Sequence, residues 1–210
     1  MKGGVFLEED RVISASKEET VVCGLETLPF KADFFVENYL AGITASLIMR
    51  VKRESLLRGL RNFRGLPHRM EEFMTLRGVK FVNNSMCTNP VACARSFEAF
   101  EEPVLLIAGG KEKRVNPSIM VEAIKRCAKV TILVGEVAEK LGKMLKKKGV
   151  KFVWAVPSLE AAVEMSFALA KPGDTVLFSP GFASFDMFKD FQERGDAFKK
   201  AVQNLEGKEI

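Results

Sequence analysis

The sequence has few of the residues that a metal site or a disulfide framework needs. It contains a single histidine, His68, and its four cysteines form no C-x-x-C pair. Because zinc sites cluster cysteine and histidine at short spacings, we expect no metal site. The thiols are instead expected to be free and buried. The cysteines are Cys23, Cys87, Cys93 and Cys127.

Long apolar runs are absent as well. No stretch approaches the ~20 consecutive apolar residues that span a bilayer. The first residues, Met1-Lys2-Gly3-Gly4, contain no apolar segment of the kind found in signal peptides. We therefore expect a cytoplasmic protein without a membrane partner, a compartment that also suits free thiols.

The charge balance is basic but does not indicate a nucleic-acid partner. The formal net charge is +5. The lysine run at 146–148 ends a predicted helix, where cations favour the helix dipole and extend into solvent. Basic and aromatic residues are little interleaved, and no nucleic-acid-binding module is recognisable. We expect no nucleic-acid partner.

The residues that are present suffice for a sizeable core. The 210 residues are 47% hydrophobic and 28% charged, as in soluble globular proteins. That length supports one large domain, or one domain and a smaller piece. In the first third, the patterns predict a three-stranded β-meander followed by two helices. The strands are expected at 4–7, 11–13 and 20–23, and the helices at 36–50 and 53–63.

Strands and helices alternate along the rest of the chain. The apolar run at 104–108 is typical of a strand that is buried on both faces. Such alternation predicts an α/β fold with a Rossmann-like, doubly wound, mostly parallel sheet. The strands are expected at 72–76, 79–82, 104–108, 130–134, 152–155 and 175–178, and the helices at 91–100, 117–127, 137–148, 159–169 and 187–205.

Three loops with unusual polar composition follow predicted strands, at 83–89, 109–114 and 179–186. In the first, Asn89 is placed to cap a helix that begins at Pro90, and backbone N–H groups at a helix start suit an anion. The second combines glycines with cations, and the third contains small residues and two serines. Because ligands of such sheets bind beyond the carboxyl ends of the strands, the loops predict an anion-binding crevice.

Each loop also has a purely structural interpretation. The first is an ordinary strand-to-helix turn. Gly109 and Gly110 suit a tight turn that needs positive φ, and Lys111 and Lys113 a solvated loop. Ser184 would be the N-cap of the last helix.

Several segments resemble the C-terminal domain of the Mur ligases, in particular the D-glutamate-adding branch of that family. Residues 66–71 (LPHRME) and 83–90 (NNSMCTNP) resemble the start of the domain, where the family loop usually has Asp-Ser-Lys-Ala-Thr-Asn. The loop 109–113 (GGKEK) matches Gly-Gly-x-x-Lys, and 179–186 (SPGFASFD) matches Ser-Pro-x-x-Ala-Ser-Phe-Asp. Upstream, 36–38 (VEN) resembles the His-Asn-x-x-Asn helix start of the central ATPase domain.

The resemblance implies an ATP-dependent amide ligase of peptidoglycan precursor synthesis. Such enzymes use ATP and Mg²⁺ to phosphorylate a carboxylate, and the amine of an amino acid attacks the acyl phosphate. It assigns no catalytic residue to this chain. It implies that a D-glutamate-like small molecule is bound by Thr88, Lys113, Ser184, Phe185 and Phe191. It implies nucleotide contacts from Asn38, Arg69 and Asn84.

The chain also departs from the family pattern. It has no G-x-x-x-x-G-K-[ST] loop for the β- and γ-phosphates, and Phe34-Phe35 stands where the family has His-Asn. Asn84 replaces the usual Asp, Met86 the usual Lys, and Arg114 a usual Gly. We therefore expect weak or no nucleotide binding by the chain alone, and no ligase activity.

Two domains follow from the resemblance: a remnant of the central ATPase domain at 1–65, and a complete C-terminal domain at 66–210. The leading hypothesis is the amino-acid-binding half of a D-glutamate-adding ligase. One alternative is a non-catalytic paralogue that acts as a binding or scaffold module. Another, a stand-alone nucleotide-binding protein, is disfavoured because no G-x-G-x-x-G follows a predicted strand.

The helices of the predicted remnant would lack the sheet that they cover in the family. Their apolar side chains should then be partly exposed and bind a partner. We expect a homodimer, or a complex with the missing N-terminal half, through residues 1–65. The side chains in question are Leu40, Ile43, Leu47 and Leu57.

Overall fold

The structure is a computed structural model that describes residues 4–15, 19–29 and 32–207. It divides the chain into two units, Met1–Arg64 and Gly65–Ile210. Each unit has its own elements and is described separately. Within the described ranges, no helix is both long enough and apolar enough to cross a bilayer.

The first unit contains the predicted β-meander and two helices. The three strands are antiparallel neighbours in the order β1-β2-β3. Val12, Val22 and Cys23 are buried. The elements are β1 (Gly4–Glu8), β2 (Arg11–Ala15), β3 (Glu19–Gly24), a 3-10 turn (Leu25–Thr27), α1 (Asp33–Ile48) and α2 (Arg53–Asn62).

Helix α1 begins three residues earlier than the sequence predicts, because Asp33 adds an acidic first turn that favours the helix dipole. The expected exposure of its apolar side chains is only partly met. Leu40, Leu47 and Leu57 are half-buried, as predicted, but the prediction for Ile43 is wrong, since its side chain is 1% exposed.

The second unit is the predicted α/β domain. Its sheet has the strand order β4-β5-β9-β6-β7-β8, in which only β4 is antiparallel to its neighbour. The strands are β4 (Glu71–Leu76), β5 (Val79–Asn83), β6 (Val104–Gly109), β7 (Ala128–Val134), β8 (Val153–Ala155) and β9 (Thr175–Gly181). The helices are α3 (Pro90–Ser96), α4 (Ser118–Cys127), α5 (Ala138–Lys147), α6 (Leu159–Leu169) and α7 (Phe191–Gln203). The doubly wound, mostly parallel fold is thereby confirmed.

The core of this unit lies on both faces of the sheet. Every residue of β6 is buried, as its continuous apolar run predicts. On one face α6 and α7 pack against Ile107, Ile132 and Phe178, and the Phe178 ring stacks on Phe198 of α7 at 4.6 Å between centroids. Helices α3, α4 and α5 contact one another in series and cover the other face.

Helix ends follow their capping residues. Asn89 accepts a hydrogen bond from Ala92 N at 2.8 Å, so the predicted N-cap of α3 is confirmed. Helix α7 starts at residue 191, four residues after the predicted start. Its cap is Asp190, whose Oδ1 accepts from Glu193 N at 2.8 Å. Ser184 is therefore not the cap, and its carbonyl instead closes a separate turn by accepting from the N–H of residues 187 and 188.

One buried polar atom in this core has no partner within the described residues. Thr131 of β7 is 0% exposed, its neighbours in the sheet register are Leu106 and Val153, and its Oγ1 makes no hydrogen bond. A buried hydroxyl without a partner carries a desolvation cost, whereas its γ-methyl contributes apolar packing.

We predict that Thr131→Val stabilises the chain by about 1 kcal/mol, since it removes the unpaired hydroxyl and keeps the shape. Thr131→Ser is the matched control, because it keeps the hydroxyl and deletes the methyl, and it should lower stability by about 1 kcal/mol. Urea unfolding of the two variants and the wild type measures both changes. A valine variant less stable than the wild type would contradict the prediction.

Candidate functional site

The three polar loops predicted to form a crevice lie together at the carboxyl-terminal end of the parallel strands. They follow β5, β9 and β6, which are three adjacent parallel strands. We name them by their residues as the 84–89 loop, the 182–190 loop and the 110–117 loop. The middle strand is β9, so the 182–190 loop lies between the other two.

Backbone hydrogen bonds join these loops at their bases. Lys111 N donates to Ala183 O at 2.8 Å, which ties the 110–117 loop to the 182–190 loop. Gly181 N donates to Cys87 O at 3.0 Å, which ties the end of β9 to the 84–89 loop. The relative placement of the loops is therefore fixed by main-chain contacts.

The two glycines after β6 are required by close backbone approach. Gly109 and Gly110 have φ of 129° and 131°. A Cβ atom on Gly109 would lie 1.9 Å from Val134 O, and one on Gly110 would lie 2.4 Å from Ala183 O. The structural interpretation of this pair is correct, and the close approach that the glycines permit also brings Lys111 to the 182–190 loop.

The buried side chain of Arg194, in α7, forms hydrogen bonds with two of the loops. Its side chain is nearly fully buried, and it donates from Nη1 to Phe182 O at 2.9 Å and from Nη2 to Ser85 O at 2.8 Å. Its Nε donates to Ser85 Oγ at 3.1 Å. Burial lowers the pKa of Arg194 to about 10, so the guanidinium is still protonated at neutral pH and depends on these acceptors.

Ser85 extends this network to the start of α7. Its hydroxyl donates to Phe191 O at 2.8 Å while it accepts from Arg194. The 84–89 loop, the 182–190 loop and the first turn of α7 are thus held by one buried cluster. Sequence reasoning missed Arg194, although a signal existed: it lies on the apolar stripe that Phe198 and Val202 define at helical spacing.

His68 also contacts the residues around the 84–89 loop and α7. Its Nδ1 lies 3.0 Å from Asn83 Nδ2, which also donates to Gly195 O at 3.2 Å. Since the Asn83 amide donates, Nδ1 accepts and the proton is on Nε2. A Cβ on Gly195 would lie 2.2 Å from His68 Nδ1, so only glycine fits at that point of α7. Met86 N donates to His68 O at 3.0 Å, which anchors the 84–89 loop.

The side chain of Asn84 is committed to internal hydrogen bonds. Its Oδ1 accepts from Met70 N at 3.3 Å, and its Nδ2 donates to Ser179 Oγ at 3.1 Å. The Ser179 hydroxyl also contacts Ser96 Oγ at 3.1 Å, so the Asn84 amide belongs to a buried chain of hydrogen bonds.

The residues expected to bind D-glutamate lie on these tied loops and at the start of α7. Thr88 is half-buried and Ser184 is buried. Phe191 is half-buried, and its ring packs edge-on against His68 at 6.2 Å between centroids. Phe185 differs from the others, because 69% of it is exposed. Their role in binding stays a prediction.

The cations of the 110–117 loop divide into paired and unpaired groups. Lys111 Nζ lies 2.6 Å from Glu136 Oε2, which raises the pKa of Lys111, and Glu112 pairs with Lys140. Lys113 and Arg114 are exposed and have no ion pair within the described part of the chain. These two cations are free to meet an anion.

The residues expected to contact a nucleotide lie in different units. Asn38 is in α1 of the first unit, where it is exposed and donates to Phe34 O at 2.6 Å. Arg69 and Asn84 belong to the second unit, where Arg69 is half-buried. The described residues contain no group of three carboxylate, histidine or cysteine side chains that could hold a metal ion.

Comparison with known proteins identifies the family. The family model for the Mur ligase glutamate ligase domain matches residues 68–182. The UDP-N-acetylmuramoylalanine–D-glutamate ligase of Pelotomaculum thermopropionicum is 35% identical over 98% of this chain and 45% of its own length. The corresponding ligase of Clostridioides difficile is 33% identical over 98% of this chain and 46% of its own length. The chain thus spans about half the length of the curated relatives it matches.

Solved structures agree on the fold. The UDP-N-acetylmuramate–alanine ligase of Thermotoga maritima superposes with a TM-score of 0.65 at 15% identity, over 93% of this chain and 44% of that one. Escherichia coli FolC, solved with ADP, gives 0.64 at 15% identity, over 98% of this chain and 47% of that one. The resemblance found in the loops is confirmed, and the chain belongs to the Mur ligase family.

Proposed function

We propose that this chain is the amino-acid-binding half of an ATP-dependent ligase that joins D-glutamate to UDP-N-acetylmuramoylalanine. The observation that supports this most is the buried network around Arg194 and Ser85, which joins two of the polar loops and the start of α7. A rigid base of this kind is what an amino-acid pocket built from loops needs. The names of the relatives at 33–35% identity support D-glutamate as the amino acid.

The free groups of the crevice suit an amino acid with two carboxylates. Lys113 provides a point charge for one carboxylate, and the hydroxyls of Thr88 and Ser184 can donate to the other. Holding both carboxylates leaves the amine directed out of the pocket. The protein's task is then to orient that amine towards an incoming acyl group, which is a positioning effect.

The phosphate chemistry requires groups that this chain does not supply. Its sequence has no phosphate-binding G-x-x-x-x-G-K-[ST] loop. In this proposal ATP and Mg²⁺ are held mainly by residues outside the chain, and Arg69 and Asn84 add contacts to the nucleotide. The chain alone then has no ligase activity.

A second candidate function is a non-catalytic paralogue that binds or organises other proteins. It is favoured by Asn84 and Met86, which lack the charges of the family pattern. Their backbone N–H groups and the Asn84 side chain are hydrogen-bonded within the protein. On this alternative the loop keeps its structure and has lost its ligand. The two candidates differ in whether the crevice binds D-glutamate.

The first unit contains an apolar groove of about 420 Å³ between α1 and α2. Its lining combines small residues with aromatic and aliphatic side chains. We propose that the groove is covered by the amino-terminal part of the ligase, because the relatives are more than twice as long as the matched region. A second copy of the chain is the competing occupant. The lining includes Tyr39, Gly42, Ile43, Leu56, Gly59 and Phe63.

We predict that the chain forms a one-to-one complex with the separately expressed amino-terminal half of the Pelotomaculum relative, and that Gly59→Leu weakens it at least tenfold. A Cβ on Gly59 meets nothing within 4 Å, so leucine fills the groove without a clash. Gly207→Leu, equally unobstructed and outside the groove, is the control. Light scattering reports the masses. A dimer of this chain that Gly59→Leu dissociates would favour the second copy, and a monomer without a complex would refute both.

We predict weak, on the order of millimolar, binding of D-glutamate, and a 10- to 150-fold loss (about 1.5–3 kcal/mol) in Lys113→Ala, because a charged hydrogen bond to the carboxylate is removed. Lys111→Ala is the control within the same loop, since Lys111 is already paired with Glu136. NMR titration measures the affinities. Titration with D-glutamine tests whether Lys113 binds the side-chain carboxylate. The wild type should bind D-glutamate more tightly than D-glutamine, whereas Lys113→Ala should bind the two ligands with similar affinity. Chemical shifts that ignore D-glutamate would favour the paralogue.

We predict that the complex with a phosphate-binding half regains activity when Asn84→Asp and Met86→Lys are combined. Each restored charge is worth about 1.5–3 kcal/mol, or roughly 10- to 150-fold in rate. The double variant should exceed either single variant, because neighbouring groups at one ligand couple. ADP release that depends on D-glutamate and the muramoyl substrate is the measurement. If the wild-type complex equals the double variant, the two residues are not defects of the site.

A further inference from the structure

A fourth loop lies beside the three that form the candidate crevice. It is the 135–137 turn, which follows β7, the parallel strand next to β6. Glu136 N, in this turn, donates to Asp186 Oδ2 of the 182–190 loop at 3.0 Å. The side chain of Asp186 therefore joins the fourth loop to the crevice.

The hydrogen bond of Asp186 closes a ring of contacts among three loops. The turn is also joined to the loop after β6, because Val137 N donates to Gly110 O at 3.0 Å. The loop after β6 is joined in turn to the loop after β9 by the bond from Lys111 N to Ala183 O. Two of the three hydrogen bonds in this ring are main-chain bonds, and the third depends on a side chain.

The ring fixes a two-residue segment of the crevice at both of its ends. Ala183 is held at its carbonyl, and Asp186 is held at its carboxylate. Between them lie Ser184 and Phe185, which the resemblance assigns to the amino acid. Ser184 is buried, whereas Phe185 is 69% exposed although its neighbours are held. The ring therefore presents these two residues from a restrained loop, as a binding site requires.

The carboxylate of Asp186 is closely fitted, yet it is not optimised for stability. A Cβ on Gly135, whose φ is 84°, would lie 2.3 Å from Asp186 Oδ2, so glycine allows the carboxylate to reach the turn. The other oxygen, Oδ1, is buried and makes no hydrogen bond within the described part of the chain. A buried oxygen without a partner costs free energy, and such departures from the rules of stable folding are expected at functional positions.

We propose that Asp186 is a positioning residue of the amino-acid pocket, which holds Ser184 and Phe185 in place through its hydrogen bond with the 135–137 turn. The donor is a neutral backbone N–H, so the role requires an acceptor oxygen and not a charge. The ion pair between Lys111 and Glu136 links the same loops, but its side chains are 46% and 44% exposed and such pairs contribute little. The effect on amino-acid binding rests on the proposed function, whereas the restraint of the segment does not.

NMR titration of three variants of the full chain with D-glutamate tests the proposal. Asp186→Ala should weaken binding by roughly tenfold or more, because the ligand would then have to order the segment. Asp186→Asn keeps an oxygen that can accept from Glu136 N and should bind like the wild type. Asp174→Ala is the matched control, since Asp174 Oδ2 accepts from Lys171 N at 2.8 Å before β9, at the opposite end of the strand from the crevice. It should lower stability and leave D-glutamate binding unchanged.

Hydrogen exchange provides a measurement that needs no ligand. The amides of Met187 and Phe188 donate to Ser184 O, so their exchange rates report the restraint of the segment. Exchange of both amides should be faster in Asp186→Ala and unchanged in Asp174→Ala. Asp186→Ser, whose shorter side chain withdraws the oxygen from the turn, replaces the alanine variant if that variant does not fold.

Three outcomes overturn the proposal. The first is that Asp186→Ala binds D-glutamate like the wild type. The second is that it and Asp174→Ala lose binding equally, which is a general loss of stability. The third is that Asp186→Asn binds as weakly as Asp186→Ala, which means that the charge is required. A wild-type chain that does not bind D-glutamate counts against the proposed function and leaves the hydrogen-exchange result to decide whether Asp186 restrains the segment.

Discussion

The candidate site depends on one buried guanidinium. Arg194 is charged and is 2% exposed, and no carboxylate among the described residues lies within hydrogen-bond distance of it. The cost of its burial is therefore offset by hydrogen bonds to two backbone carbonyls and a hydroxyl. Those acceptors belong to Ser85 and Phe182, which lie in different loops. The loops cannot separate without leaving a buried charge unsatisfied, and that cost holds them together.

Most of the fold follows from local patterns in the sequence. The continuous apolar run of β6, the alternation of strands and helices, and the cap Asn89 are short-range signals, and the structure confirms each. The prediction failed where two capping residues compete within one segment. Ser184 and Asp190 are both suitable N-caps, and Asp190 takes that role: its Oδ1 accepts from Glu193 N at 2.8 Å, and the Glu193 side chain accepts from Lys189 N at 2.7 Å.

The sequence predicts which loops form the candidate site, but it does not predict the buried hydrogen bonds that hold those loops in place. The polar loops are recognisable because they follow strand ends, and parallel strands bring their carboxyl ends to one edge. The contacts of Asn83 with His68 and Gly195 join residues 15 and 112 positions apart in the chain, and no periodicity encodes such pairs. Arg194 was the exception, because a charge on an apolar helical stripe is visible in the sequence and indicates a buried partner set.

One residue of the 84–89 loop that departs from the family pattern, Asn84, is not one of those that hold the polar loops together. Gly109, Gly110 and Gly195 occupy positions where any side chain would clash with a neighbouring atom, and Arg194 and Ser85 complete one hydrogen-bonded cluster. Asn84, in contrast, is an amide where the family pattern has a carboxylate, and it is hydrogen-bonded to Met70 N and the Ser179 hydroxyl. The departure removes a charge from the loop, whereas the hydrogen bonds of Arg194 and Ser85 that join the loops do not involve this side chain.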